Sequence, residues 1–185
     1  LSNWGSSRTL AQDSPAFIED VRVMEAQDTG IQEPAGLTYS NRLNAFYVID
    51  ARQWRASPSA ADFVQLTATE QNNGSARLAA AIQDPLNTAF DNRSNRMLVL
   101  QPRSGLLIQV PADASGSINR RSFQQLNVRR FGVKDPKGMT VDPATGELFI
   151  LDASGPRLLR VSPAAGARLA EGAIRVVDLQ ASGIT

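Results

Sequence analysis

Three uninterrupted apolar runs, Phe46-Tyr-Val-Ile49, Met97-Leu-Val-Leu100 and Leu148-Phe-Ile-Leu151, stand 51 residues apart along the chain. A strand with one face in water alternates apolar and polar residues, whereas a strand covered on both faces reads as a continuous apolar run. Each run therefore predicts a strand buried on both sides. Upstream of each, a shorter mixed segment opens on Pro34, Pro85 or Pro136, at the same 51-residue step. Turn chemistry lies between the two. Asp142-Pro-Ala-Thr-Gly146 fixes φ early through Pro143 and supplies a positive φ at Gly146. Ser40-Asn-Arg42 and Asp91-Asn-Arg93 hold the equivalent place in the other units, and no gap is needed to overlay the three strand–turn–strand segments. Ile31, Ile82, Val133 and Ile184 keep the same step.

Further strands follow each pair. Leu106–Val110 and Arg157–Val161 read as third strands, with Phe63–Leu66 as their counterpart after a longer loop that holds Trp54 and Pro58. Ser122–Val128 and Ala173–Leu179 read as outer strands. Gly74–Ile82 contains good helix formers, but its phase assigns it to an outer strand and its exit. Ile18–Val23 looks like the outer strand of an earlier unit. Four antiparallel strands repeated at about 50 residues are the pattern of β-propeller blades. The expected layout is a connector over 1–17, an outer strand of a preceding blade within 18–32, and blades over 33–83, 84–134 and 135–185. Since a typical ring holds roughly six such blades, the chain is expected to be a slice of a longer propeller, completed by further blades of the same or another chain.

Composition narrows the chemistry. The 19 basic and 18 acidic residues balance, so no nucleic-acid partner is expected. With no cysteine and no histidine, the chain holds no disulfide, no thiolate nucleophile, no Cys/His zinc site and no Ser-His-Asp triad of its own. No apolar run is long enough to predict a membrane span. Asn73-Gly-Ser75 and Asn92-Arg-Ser94 satisfy the short glycosylation sequon.

Two rings of polar residues fall by periodicity at one mouth of the expected channel. Glu33, Asp84 and Asp135 precede the repeat prolines, and Asp50, Gln101 and Asp152 end the second strands. Carboxylates converging from several blades suit a calcium ion, which takes six to eight oxygens, or could serve as acid and base. Asp before Pro is also a common turn former, and an Asp ending a strand often ties its own loop backbone. Arg52 and Arg103 follow the second ring and could neutralise it. Thr38, Ala89 and Thr140 recur as small residues on the innermost strands.

Asp135–Val161, with its Pro-x-Gly opening, a strand ending in Asp, a hairpin, a second strand ending in Asp and an Arg-bearing third strand, resembles a blade of the NHL-repeat type. Glu33-Pro-Ala-Gly-Leu-Thr-Tyr39 matches the opening, while the second unit departs at Asn87 and Gln101. The blades are similar to those of bacterial extracytoplasmic propellers and, more distantly, of calcium-dependent lactonases of the gluconolactonase kind. The resemblance implies an extracytoplasmic, non-catalytic interaction scaffold that binds protein or glycan through its loops. A calcium-dependent hydrolase, lactonase or phosphoesterase-like, is the alternative it leaves, and no catalytic residue transfers to this sequence.

Overall fold

The computed structural model describes residues 23, 29, 31, 33–51, 63–69, 71–76, 78, 82, 84–85, 87–155, 157–162 and 174–178. The connector over 1–17 and the outer strand expected at Ile18–Val23 lie outside them, apart from Val23. Within them stand three four-stranded antiparallel sheets, each a simple meander of consecutive strands. The first holds β1 (Pro34–Ser40), β2 (Ala45–Asp50), β3 (Phe63–Thr67) and β4 (Asn72–Ala76). The second holds β5 (Asn87–Asp91), β6 (Arg96–Gln101), β7 (Leu106–Pro111) and β8 (Gln124–Asn127). The third holds β9 (Pro136–Val141), β10 (Leu148–Asp152), β11 (Arg157–Val161) and β12 (Ile174–Asp178). These are the blades of a β-propeller.

The strict 51-residue phase conceals an exchange. Twelve residues (51–62) separate β2 from β3, whereas four separate β6 from β7 (102–105) and β10 from β11 (153–156). The next connection reverses the proportion: four residues (68–71) join β3 to β4, against twelve for β7 to β8 (112–123) and β11 to β12 (162–173). The first blade thus carries eight residues at one end of its sheet that its neighbours carry at the other. The outer strand anticipated around Gly74 accordingly starts at Asn72, in register with β12 two repeats on.

Side chains along each central strand point alternately to the two neighbouring blades. Tyr47 and Ile49 of β2 meet Met97 and Val99 of β6 in one cluster with Phe63, Phe90 and Ile108. Leu98 and Leu100 of β6 meet Leu148 and Ile150 of β10 in a second, closed by Leu107, Val133 and Leu159. Full burial of one such aliphatic side chain stabilises by about 1.5–3 kcal/mol, so the blades are held by their broad faces. At the innermost edge the fit is tightest: a Cβ on Gly36 would lie 2.9 Å from Thr88 Oγ1 of the next blade. At Gly138, two repeats on, the same position has no heavy atom within 4 Å.

Candidate functional site: strand-end carboxylates and a loop-roofed groove

Antiparallel register sets Asp50 opposite Pro34 and Asp152 opposite Pro136, so both polar rings lie at the same end of the sheets. The second ring is buried: Asp50, Gln101 and Asp152 are all sheltered from solvent. Each aspartate reaches back to the start of its own blade. Asp50 Oδ1 accepts from the Glu33 N–H at 3.2 Å, and Asp152 Oδ1 from the Asp135 N–H at 2.9 Å. Backbone bonds run alongside, from Ala51 N–H to the Glu33 carbonyl at 2.8 Å and from Ala153 N–H to the Asp135 carbonyl at 2.9 Å. Asp50 and Asp152 are latches that close the inner edges of the first and third blades.

The middle blade closes differently, for a covalent reason. Pro102 stands where Ala51 and Ala153 stand in the other repeats, and proline has no N–H to donate. The first-ring carboxylate takes over: Asp84 Oδ2 accepts from the Arg103 N–H at 2.6 Å. Arg103 therefore meets the ring through its backbone; Arg52 lies outside the described residues. Asp135 is half-exposed and pairs with Lys137 at 3.0 Å, a contact in water that stabilises by under about 1 kcal/mol. Glu33 is exposed.

Asp152 is engaged on both oxygens. Its oxygens also take the Ser154 N–H at 3.2 Å, the Ser154 hydroxyl at 2.9 Å and the Arg157 guanidinium at 2.5 Å, while Arg157 donates onward to the Gly132 carbonyl at 2.7 Å. Burial pushes its carboxyl up, but the hydrogen bonds from Asp135 and Ser154 and from Arg157 outweigh that and bring it down to about 2. An acid with a depressed folded pKa stabilises the fold above its unfolded pKa and loses that contribution as pH falls through the folded one. Asp152 should therefore contribute about 2 kcal/mol at neutral pH that fades between about pH 4 and pH 2. The Asp152→Asn variant should show a correspondingly flatter acid limb in denaturant titrations, and identical limbs would count against the latch.

A calcium ion needs carboxylate oxygens free to converge on it. The described residues do not fit one: Asp50, Asp84 and Asp152 are turned onto backbone N–H groups, and no group of three or more Asp or Glu side chains gathers as a metal site among the described residues.

The opposite end carries the hairpin turns and the long β7–β8 loop. Asn92 bridges neighbouring turns, accepting from Asn41 N–H at 2.7 Å and donating to the Tyr39 carbonyl at 3.3 Å. Arg93 reaches the next turn, donating to the Ala144 and Thr145 carbonyls at 3.1 and 3.0 Å. Between the second and third blades this end is filled by a buried ion pair, Arg96 Nε to Asp91 Oδ2 at 2.8 Å, with Arg96 Nη1 on Gln109 Oε1 at 3.2 Å. One repeat earlier the same positions are Ser40 and Ala45. Their small side chains leave room, and the tip of the β7–β8 loop enters it. Tyr47 donates its hydroxyl proton to the Gly116 carbonyl at 3.1 Å, and burial together with the nearby Asp113 charge pushes that phenol up to about 12.

Gly116 has φ +96°, and a Cβ there would lie 2.9 Å from Leu43 Cγ and 3.2 Å from Arg42 Cβ. Both the backbone and the space demand glycine. Gly116→Ala should cost about 1–2 kcal/mol and release the loop, read as faster amide exchange at Ser115–Ile118; unchanged exchange would show that the tip is not anchored.

Nothing in the sequence pattern marked this loop. Its only signal was indirect, the small Ser40 and Ala45 where the next repeat has a charged pair.

No family model and no curated protein matches the chain. Solved structures do. The crystal structure of a nidogen/laminin complex is 14% identical with a TM-score of 0.52, covering 77% of this chain and 47% of that one. A protein from Lactobacillus plantarum is 12% identical with a TM-score of 0.53, covering 80% and 42%. Luciferin-regenerating enzyme is 19% identical with a TM-score of 0.51, covering 77% and 45%. At such identities the likeness is one of fold, and this chain spans less than half the length of each.

Proposed function

We propose that the chain is a non-catalytic interaction segment of a propeller in an extracytoplasmic protein. It is completed by further blades and presents its loops to a protein or glycan ligand. The observation that carries this reading is the engagement of Asp50, Asp84 and Asp152 by backbone N–H groups. A carboxylate already held by a backbone donor is a poorer general base and metal ligand, because that bond must first be broken, and Asp152 with its several donors is the extreme case. One similar structure is itself a complex of two proteins, nidogen and laminin. The extracytoplasmic setting rests on the resemblance of Asp135–Val161 alone.

The need for further blades follows from the outer faces. Leu37 is 61% exposed, though Thr88 and Met139 at the same repeat position are buried against a neighbouring blade. Leu151 is 41% exposed, though Ile49 and Leu100 are fully buried. Among the described residues, no blade covers either face as one covers its equivalents.

Thermal unfolding with and without millimolar calcium tests the non-catalytic reading. A ligand bound only by the native state must raise Tm, so the expected result is an unchanged midpoint. A calcium-dependent rise, abolished by Asp152→Asn, would instead support the calcium-dependent hydrolase.

A further inference from the structure

Beyond its tip, the β7–β8 loop runs back past the outer half of the first blade, and the two border an open groove. It consists of two adjoining hollows of about 690 and 340 Å³ that share Ser117, Ile118 and Arg120. Volumes of a few hundred Å³ are those of small-molecule sites. The walls divide by chemistry. Tyr47 and Phe63 supply rings to the lining of the smaller hollow, Leu78 lines the larger one, and Ile118 belongs to both. Gln65 and Asn73 add amide groups from β3 and β4, and Arg120 and Arg121 stand exposed along the loop.

The loop is built to hold this shape. Asp113 Oδ1 accepts from Ser115 N–H at 2.8 Å, from the Ser115 hydroxyl at 2.5 Å and from Ser117 N–H at 3.1 Å. The Asp113 N–H donates to the Ser117 carbonyl at 2.9 Å, and Asn119 N–H to the Pro111 carbonyl at 2.8 Å. The Asn95 amide holds the Asp113 carbonyl from the neighbouring turn. Among the described residues Asp113 is the one carboxylate of the lining, and its charge is taken up by these donors, first the Ser115 hydroxyl, which hold its carboxyl below the usual range. Neither Arg120 nor Arg121 forms an ion pair among the described residues. Two guanidinium groups beside a hollow that Leu78 and Ile118 also line thus have no counter-ion among the described residues.

We propose that this groove binds a small organic oxyanion, a carboxylate or a phosphate monoester carried on an apolar ring or chain. The apolar body enters against Phe63 and Ile118, and the oxyanion meets Arg120 and Arg121, whose planar donors match both groups. Binding here is independent of the strand-end carboxylates, which lie at the other end of the sheets.

The test is an amide-resolved NMR titration of the chain with phenyl phosphate and with benzoate, using phenol and inorganic phosphate as controls. Saturable shifts are expected at β3, β4 and residues 117–121, with phenyl phosphate or benzoate binding more tightly than either control. The tighter of the two identifies the oxyanion. Arg120→Gln with Arg121→Gln should weaken binding at least about tenfold, the loss of one or more charge-assisted hydrogen bonds. Asn73→Asp, on the exposed outer strand, should weaken it by repulsion without disturbing the fold. Phenyl phosphate and benzoate binding no better than phenol, shifts that map elsewhere, or an unaffected double-arginine variant would each overturn the proposal. So would an Asp/Glu-rich peptide that outcompetes phenyl phosphate, which would indicate a protein partner.

Discussion

Replacing Asp91 by Ala is expected to destabilise the chain by about 3–5 kcal/mol, seen as a large fall in the denaturant midpoint. Asp91 and Arg96 are both only 1% exposed at the side chain, so removing the acid strands a cation between two blades. Asp91 Oδ1 also receives the Arg93 and Ser94 N–H groups at 3.1 Å each, and these lose their acceptor too. Asp91→Leu combined with Arg96→Met should recover the part due to the stranded charge, while the Arg93 and Ser94 N–H groups still lack their acceptor. The third blade supplies an internal control. There the polarity is exchanged, with Glu147 and Arg160 at the repeat positions of Arg96 and Gln109. That pair sits at 2.6 Å but is 43% exposed on the arginine side, so Glu147→Gln should cost far less than Asp91→Ala. An Asp91→Ala loss no larger than that of Glu147→Gln would refute the buried-pair argument.

The second large effect is a contrast at one repeat position. Leu100→Ala should cost about 2–5 kcal/mol, because the side chain is fully enclosed between blades and its removal leaves a cavity. Leu151→Ala, one repeat later, should cost under about 1 kcal/mol because its methyls already face water. Urea unfolding of both variants decides the matter, and equal losses would mean that the outer face of the third blade is covered after all.

The strands were legible because their cause is local. Apolar runs such as Met97–Leu100 and turn residues such as Asp142–Gly146 specify a buried strand and a reversal wherever they occur, and repetition confirmed them. The loop exchange was not legible, since a constant 51-residue step fixes the length of a blade and is blind to where within it the residues sit. The ring residues were found as positions, and a tie to loop backbone was expected of an Asp ending a strand, but the backbone group it would reach was not. That Asp152 would meet an N–H 17 residues upstream depends on how the inner strand returns beside the second, which no single segment encodes. Pro102 was visible all along as a residue without a donor, yet its consequence at Asp84 needs the paired backbone to be read. The groove was hidden for a similar reason: Tyr47 and Gly116 are 69 residues apart and meet only across the blade boundary.

The unlike character of the two outer faces governs how copies of this chain would associate. Leu37 sits on the leading face and Leu151 on the trailing one, and the internal boundaries pair a trailing face with a leading face every time. A contact between copies that imitates those boundaries is therefore head-to-tail and cannot be an isologous two-fold patch. Such a step has two fates. Its rotation either closes into a ring of fixed stoichiometry or fails to close and propagates as a filament, and in the second case the same surface that completes a propeller becomes a seed for polymerisation.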